Sequence, residues 1–128
     1  MREIEFRGKD LENKWRYGFY SPLIWYPSYE QTPSIKEFKG GDIQIKKDTL
    51  CQYTGLKDKN GQKIFEGDIL ERFGYKVEIF FKDGSFCYTK DNEIISVNDT
   101  EFPLEEDECE IIGNVFDNPE LLKEKEDE

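Results

Sequence analysis

Residues 50–70 read LCQYTGLKDKNGQKIFEGDIL, and this stretch decides the fold. Two apolar runs, Cys51-Gln52-Tyr53 and Ile64-Phe65, flank a polar loop that contains Asn60-Gly61. An Asn-Gly pair between such runs predicts a β-hairpin closed by a type I′ turn, because both central residues of that turn need φ > 0. Glu66-Gly67-Asp68-Ile69-Leu70 then launches a new strand through a Gly-Asp corner. The motif is architectural, with glycines where corners require them and no evident chemistry.

Outward from this hairpin the chain keeps a strand rhythm. Towards the N-terminus, Arg2 to Arg7 alternates polar and apolar, the period-2 pattern of a half-buried strand. Gly8-Lys9-Asp10 and Glu12-Asn13-Lys14 supply turn signals, and Trp15, Tyr17 and Phe19 fall on one face of a second strand, with Arg16 and Gly18 on the other. These two strands are expected to pair as an antiparallel hairpin. From Ser21 to Pro33, three prolines interleave with Trp25, Tyr26 and Tyr29, which predicts an irregular aromatic loop or a sheet edge. Gly40-Gly41-Asp42 turns into the short strand Ile43 to Ile45. Towards the C-terminus, strands are expected over 68–73 and 76–81, separated by Gly74-Tyr75, with Val77, Ile79 and Phe81 on one face. Asp83-Gly84 closes a further hairpin into Ser85 to Thr89. Further strands are expected over 93–97 and 109–116. Asn118-Pro119 then reads as the N-cap and first residue of a short helix docked by Leu121 and Leu122.

Composition agrees with this pattern. There is no alanine, and Ile, Val, Phe, Tyr, Trp and Thr together account for 39 of 128 residues, the types that suit a pleated surface. The expected class is all-β. A small SH3-like barrel subdomain covers residues 50–122, residues 1–49 form an additional N-terminal β layer, a short C-terminal helix follows Asn118, and 123–128 is a charged tail. No basic segment followed by an apolar run opens the chain, and no apolar stretch approaches the roughly 18–20 residues of a membrane span. Neither an export signal nor membrane contact is therefore expected. Three widely spaced cysteines, Cys51, Cys87 and Cys109, suit packed thiols in a reducing cytoplasm better than a disulfide framework.

The net charge of −11 is unevenly spread: residues 1–64 hold 12 basic and 9 acidic side chains, and residues 65–128 hold 6 and 20. The acidic half repels phosphate backbones, so nucleic acid is not an expected partner of the chain as a whole. The same polarity would let the N-terminal part of one protomer meet the C-terminal part of another. The plainer reading of it is a solvated acidic tail.

Beyond the central stretch, two more blocks join QYTGLKDKNGQKIFEGDIL: the opening MREIEFRGKD followed by Trp15-Arg16-Tyr17-Gly18, and the closing EIIGNVFDNPELL of residues 110–122. Together they span roughly half the chain, and in this order they resemble the YopX family of phage- and prophage-encoded proteins. The resemblance implies an all-β fold with a small SH3-like barrel element, made in a bacterial cytoplasm from phage genes. It brings no catalytic residues to carry over.

The chemistry that the residues allow is narrow. There is no histidine, which removes His-dependent nucleophilic triads and the common zinc sites. Cys87, between Phe86 and Tyr88, reads as a packed thiol. Asp58, Glu66 and Asp68 could converge on Mg²⁺, although Asp68 equally suits the capping of its own turn. The Glu105 to Glu108 run lacks the ligand spacing of a calcium loop. No enzyme activity, cofactor or metal is expected. The leading expectation is a non-enzymatic interaction or assembly protein, a homo-oligomer with a host protein as a further partner. Its interaction surface would draw on Trp15, Trp25, Tyr26, Tyr29 and Phe38. The alternative is a nucleic-acid-associated accessory protein using the basic N-terminal half.

Overall fold

The computed structural model describes residues 5–21, 34–37, 41–90, 93–98 and 108–122. Among them every regular element is a β-strand or a 3₁₀ turn of at most four residues, and all strand pairings are antiparallel. The fold is all-β. The chain divides into two compact units, 1–53 and 54–128.

In the first unit, β1 (Phe6–Lys9) and β2 (Trp15–Ser21) form the expected hairpin, with Lys9 opposite Trp15 and Phe6 opposite Gly18. Gly8 and Lys9 extend β1 instead of breaking it. Strands β3 (Ser34–Glu37) and β4 (Asp42–Gln44) continue the meander, and β5 (Cys51–Lys57) returns to the other side of β1. With β6 (Lys63–Phe65), the sheet order is β4-β3-β2-β1-β5-β6. The division between the units falls inside β5.

Two glycines of this sheet leave no room for a side chain. A Cβ on Gly8 would lie 2.2 Å from Cγ2 of the fully buried Ile45, and one on Gly18 would lie 2.1 Å from the carbonyl oxygen of Lys36. Both positions exclude a side chain, as glycine inside a strand often signals. A 3₁₀ turn at Lys47–Thr49 closes the unit. There the Lys9 N–H donates to Oγ1 of Thr49 at 2.8 Å, and the Lys46 N–H donates to the Lys9 carbonyl at 2.8 Å.

In the second unit, β7 (Asp68–Arg72) lies between β8 (Tyr75–Glu78) and β12 (Glu110–Asn114). A second sheet orders β9 (Phe80–Lys82), β10 (Ser85–Lys90) and β11 (Glu93–Ser96) as β11-β10-β9. Its core gathers Ile64, Leu70, Ile79, Phe86, Tyr88, Ile95, Val97 and Cys109. These sheets are open among the described residues, so the expected closure into an SH3-like barrel is not observed.

Local expectations change in three places. The central hairpin is not a type I′ turn. Asn60 stays outside the left-handed region and Gly61 alone has φ +79°. The Gly61 N–H donates to the Asp58 carbonyl at 2.9 Å and the Asp58 N–H to the Gln62 carbonyl at 2.8 Å. This is a three-residue loop ending in a left-handed residue. The strand expected over 76–81 is two strands. At Ile79 the chain leaves β8, and the Ile79 N–H and carbonyl bond to the Asp68 carbonyl (2.9 Å) and the Gly67 N–H (2.7 Å). That buries Ile79 fully and leaves Phe81 exposed. The C-terminal helix is a single 3₁₀ turn, Pro119–Leu122. Oδ1 of Asn118 accepts the Asn114 N–H at 3.3 Å instead of capping that turn, and Leu121 packs over Gly113, where a Cβ would lie 2.9 Å from its Cδ1.

Two substitutions test this description by urea denaturation. Ile79→Ala is expected to cost about 2–5 kcal/mol through loss of a buried branched side chain. Phe81→Ala should cost only about 0.5–1.5 kcal/mol, the worth of its edge-to-face contact with Phe86; equal costs would return both residues to one buried face. Gly61→Val, with open space around the site, should still cost about 1–3 kcal/mol from strain at positive φ.

Candidate interaction surface

Strand β2 presents different chemistry on its two faces. On the face of Gly18, Arg16 donates from Nε to Oδ2 of Asp10 at 2.8 Å, and its Nη1 lies 3.6 Å from Oε2 of Glu37. Asp10 is buried, and its Oδ1 also accepts the N–H groups of Glu12 (2.8 Å) and Lys14 (3.0 Å). The backbone bond from Lys14 and the side-chain bond from Arg16 are the main causes that hold the Asp10 carboxyl down at about 2, from an ordinary value of 3.8. Reciprocally, Asp10 pushes the Arg16 guanidinium up.

The opposite face carries Trp15, Tyr17 and Phe19. Tyr17 is 42% and Phe19 51% exposed, while Trp15 is half-buried. The register sets a cation across from each ring: Lys9 opposite Trp15, Arg7 opposite Tyr17 and Lys36 opposite Phe19. The guanidinium carbon of buried Arg7 sits 4.6 Å from the Trp15 ring centroid, and Nζ of Lys9 sits 5.4 Å from it. Such contacts fix Trp15 by cation–π attraction. Glu5, buried, and Asp42, opposite Lys36, add two carboxylates to the face.

Of the expected surface residues, Trp15 is part of this face; Trp25, Tyr26, Tyr29 and Phe38 lie outside the described residues. So do the aromatic loop of 22–33, residues 105–107 and the tail. Tyr17 and Phe19 were not among the expected surface residues. Periodicity places them on one face with Trp15, but their exposure beside buried Arg7 is read only from the structure.

The second unit has an exposed group of its own. Phe73 and Tyr75, 72% and 62% exposed, lie at the β7–β8 turn. Phe73 and Gly74 have φ +50° and +81°, so this two-residue turn has both central residues left-handed. Arg72 lies over the Phe73 ring at 5.4 Å and pairs with Glu108 at 3.1 Å.

Two of the carboxylates weighed as magnesium ligands, Asp58 and Asp68, are engaged by backbone. Oδ1 of Asp58 accepts the N–H groups of Asn60 and Gln62, both at 2.9 Å, and its Oδ2 accepts that of Ile111 at 3.0 Å. Oδ2 of Asp68 accepts the Phe65 N–H at 2.7 Å. Among the described residues no group of three or more His, Cys, Asp or Glu is placed to hold a metal ion. Cys51, Cys87 and Cys109 are free thiols and all buried. No helix of the described residues is long and apolar enough to cross a membrane.

Antiparallel sheets built from tight hairpins, with several aromatic side chains exposed, define an all-β protein. The sequence model of the family described as YopX protein matches residues 5–123, and the chain belongs to the YopX family. Among solved structures it is similar to protein EF1440 from Enterococcus faecalis, at 29% identity and a TM-score of 0.56, over 95% of this chain and 99% of that one. No curated protein matches it.

The Asp10 linkage has a definite sign. A carboxyl held below its unfolded value stabilises the fold fully above about pH 4, and the contribution is lost as pH falls through about 2. Burial pushes Glu78 up, and that group acts in the opposite sense. Urea midpoints from pH 5 to pH 2 should therefore fall less in Asp10→Asn than in the unaltered chain; parallel curves would dissociate Asp10 from acid stability.

Proposed function

We propose that this is a non-enzymatic binding and assembly protein, phage-encoded, acting as a homo-oligomer in the cytoplasm of a bacterial host, with a host protein as a further partner. The observation that carries self-association is the β7–β8 turn. A turn with two left-handed residues is served best by Asn or Gly, and an aromatic there stores strain of about 1–2 kcal/mol. Phe73 is nevertheless the residue at that position, and it and Tyr75 are directed into solvent. Strain combined with exposed aromatic area supports a contact made by the tip, since aromatic residues are enriched in interface cores. The non-enzymatic reading draws support from the carboxylates: Asp10, Asp58 and Asp68 are buried acceptors of backbone N–H groups, a structural duty.

Light scattering after size exclusion at micromolar protein is the test. An oligomer that persists in high salt is expected, and Phe73→Asn with Tyr75→Ser should reduce it to the 15.2 kDa chain. In the dissociated protein, Phe73→Asn alone should raise stability by roughly 0.5–1 kcal/mol, as strain is relieved. A 15.2 kDa species under every condition would refute assembly.

A further inference from the structure

We propose that Asn60 is a site of spontaneous covalent modification, deamidated through a cyclic imide with Gly61, and that the Asp58 loop holds the reaction in check. Of the six asparagines in the chain, Asn60 alone precedes a glycine. The inference goes beyond binding and assembly, which rest on Phe73 and Tyr75 and not on this loop.

Water is the only co-reactant. The backbone nitrogen of Gly61 gives its proton to hydroxide and attacks Cγ of Asn60, closing a five-membered imide. The Cγ–Nδ2 bond breaks, and the side-chain nitrogen takes a proton from water and leaves as ammonia. Water then adds to one of the two ring carbonyls. Opening at Cγ leaves aspartate on the ordinary main chain. Opening at the main-chain carbonyl of residue 60 leaves isoaspartate, whose main chain runs through Cβ and Cγ. Glycine favours the attack, since no side chain shields its nitrogen and its backbone turns freely. A Cβ at position 61 would meet nothing within 4 Å, so the ring has room. Asn60 and Gly61 are both exposed, so hydroxide and water reach them.

The folded loop engages both reacting groups. The Gly61 N–H donates to the Asp58 carbonyl at 2.9 Å, and Nδ2 of Asn60 donates to Oε1 of Glu110 at 3.4 Å. The Asn60 N–H is itself held by Oδ1 of Asp58 at 2.9 Å. Attack therefore proceeds from local openings that free the Gly61 nitrogen and let the side chain turn towards it. Breaking a bond to a charged acceptor is enough to slow the reaction by about tenfold or more. The product in turn undoes the loop. A carboxylate at position 60 has no donor for Glu110 and adds a like charge next to Asp58. Isoaspartate lengthens the main chain between the N–H groups of residues 60 and 62, which Oδ1 of Asp58 accepts together. The same loop holds the start of β12, through the Lys59 N–H on the Cys109 carbonyl at 2.9 Å and the Ile111 N–H on Oδ2 of Asp58. Modification of Asn60 thus loosens that attachment.

The experiment incubates the full chain in mildly alkaline buffer, folded and in denaturing urea, and follows each asparagine by peptide mass spectrometry. In urea, aspartate and isoaspartate should accumulate at Asn60 ahead of the other five asparagines. In the folded chain the rate at Asn60 should be about tenfold or more lower. Asp58→Asn should raise the folded rate and leave the urea rate unchanged. If that variant does not fold, urea below the midpoint gives the same reading on the unaltered chain: a rate that climbs with urea supports the restraint, and a flat one overturns it. The modified chain, separated by anion exchange, should unfold at lower urea, whereas Asn60→Gln, incubated alike, should keep its midpoint. Equal rates in the folded and denatured chain would overturn the proposal. So would another asparagine reacting first in urea, or an unchanged midpoint after modification. None of these readouts depends on oligomer size, so the assembly reading stands or falls separately.

Discussion

A carboxylate folded back onto its own hairpin is the interaction on which both units depend. In the first, the Asp10 N–H donates to the Lys14 carbonyl, the Asn13 N–H to the Asp10 carbonyl, and Oδ1 of Asp10 collects the N–H groups of Glu12 and Lys14. In the second, Asp58 repeats the arrangement with Gln62, Gly61, Asn60 and again Gln62. The last residue of each three-residue loop is left-handed, Asn13 at +64° and Gly61 at +79°. Each aspartate thus offers a charged acceptor to N–H groups of its own turn, a bond worth about 1.5–3 kcal/mol. The remaining oxygen sets what each hairpin supports. Asp10 uses it to hold Arg16, leaving the aromatic side of β2 facing outward, and Asp58 uses it to take the Ile111 N–H and fasten the start of β12.

This explains which parts of the fold were legible in the sequence. The existence of the hairpins at Asp10–Lys14, Asp58–Gln62 and Asp83-Gly84 followed from turn residues between alternating runs, and the all-β class followed from composition. The type of the central turn did not, because Asn60-Gly61 was weighed alone, whereas the Asp58 carboxylate draws the Asn60 N–H inward and leaves only Gly61 left-handed. Phe73-Gly74 was missed by one residue for the opposite reason: nothing in local preference places phenylalanine at positive φ. The break at Ile79 is also invisible locally, since Val77, Ile79 and Phe81 alternate perfectly. It arises from hydrogen bonds to Gly67 and Asp68, more than ten positions away in the chain. The candidate surface was half legible. Periodicity put Trp15, Tyr17 and Phe19 on one face, but it does not tell that Tyr17 and Phe19 stay exposed there while Arg7 beside them is buried.

The two units also divide the electrostatics. The first, close to neutral, pairs buried Asp10 with Arg16 and sets Arg7 and Lys9 against the Trp15 ring. The second carries all of the negative excess and has its two most exposed aromatics, Phe73 and Tyr75, at the tip of one hairpin.

The three buried thiols give the molecule an internal clock. Cys51 belongs to the first unit, and Cys87 and Cys109 to the second. A thiol reagent in water can reach each sulfur only when the backbone around it opens, so its rate of modification counts those openings. Because β5 carries Cys51 in its first position and continues past the division between the units, two outcomes have distinct signatures. If the units open as one, all three sulfurs react together; if each breathes alone, Cys51 keeps a time of its own.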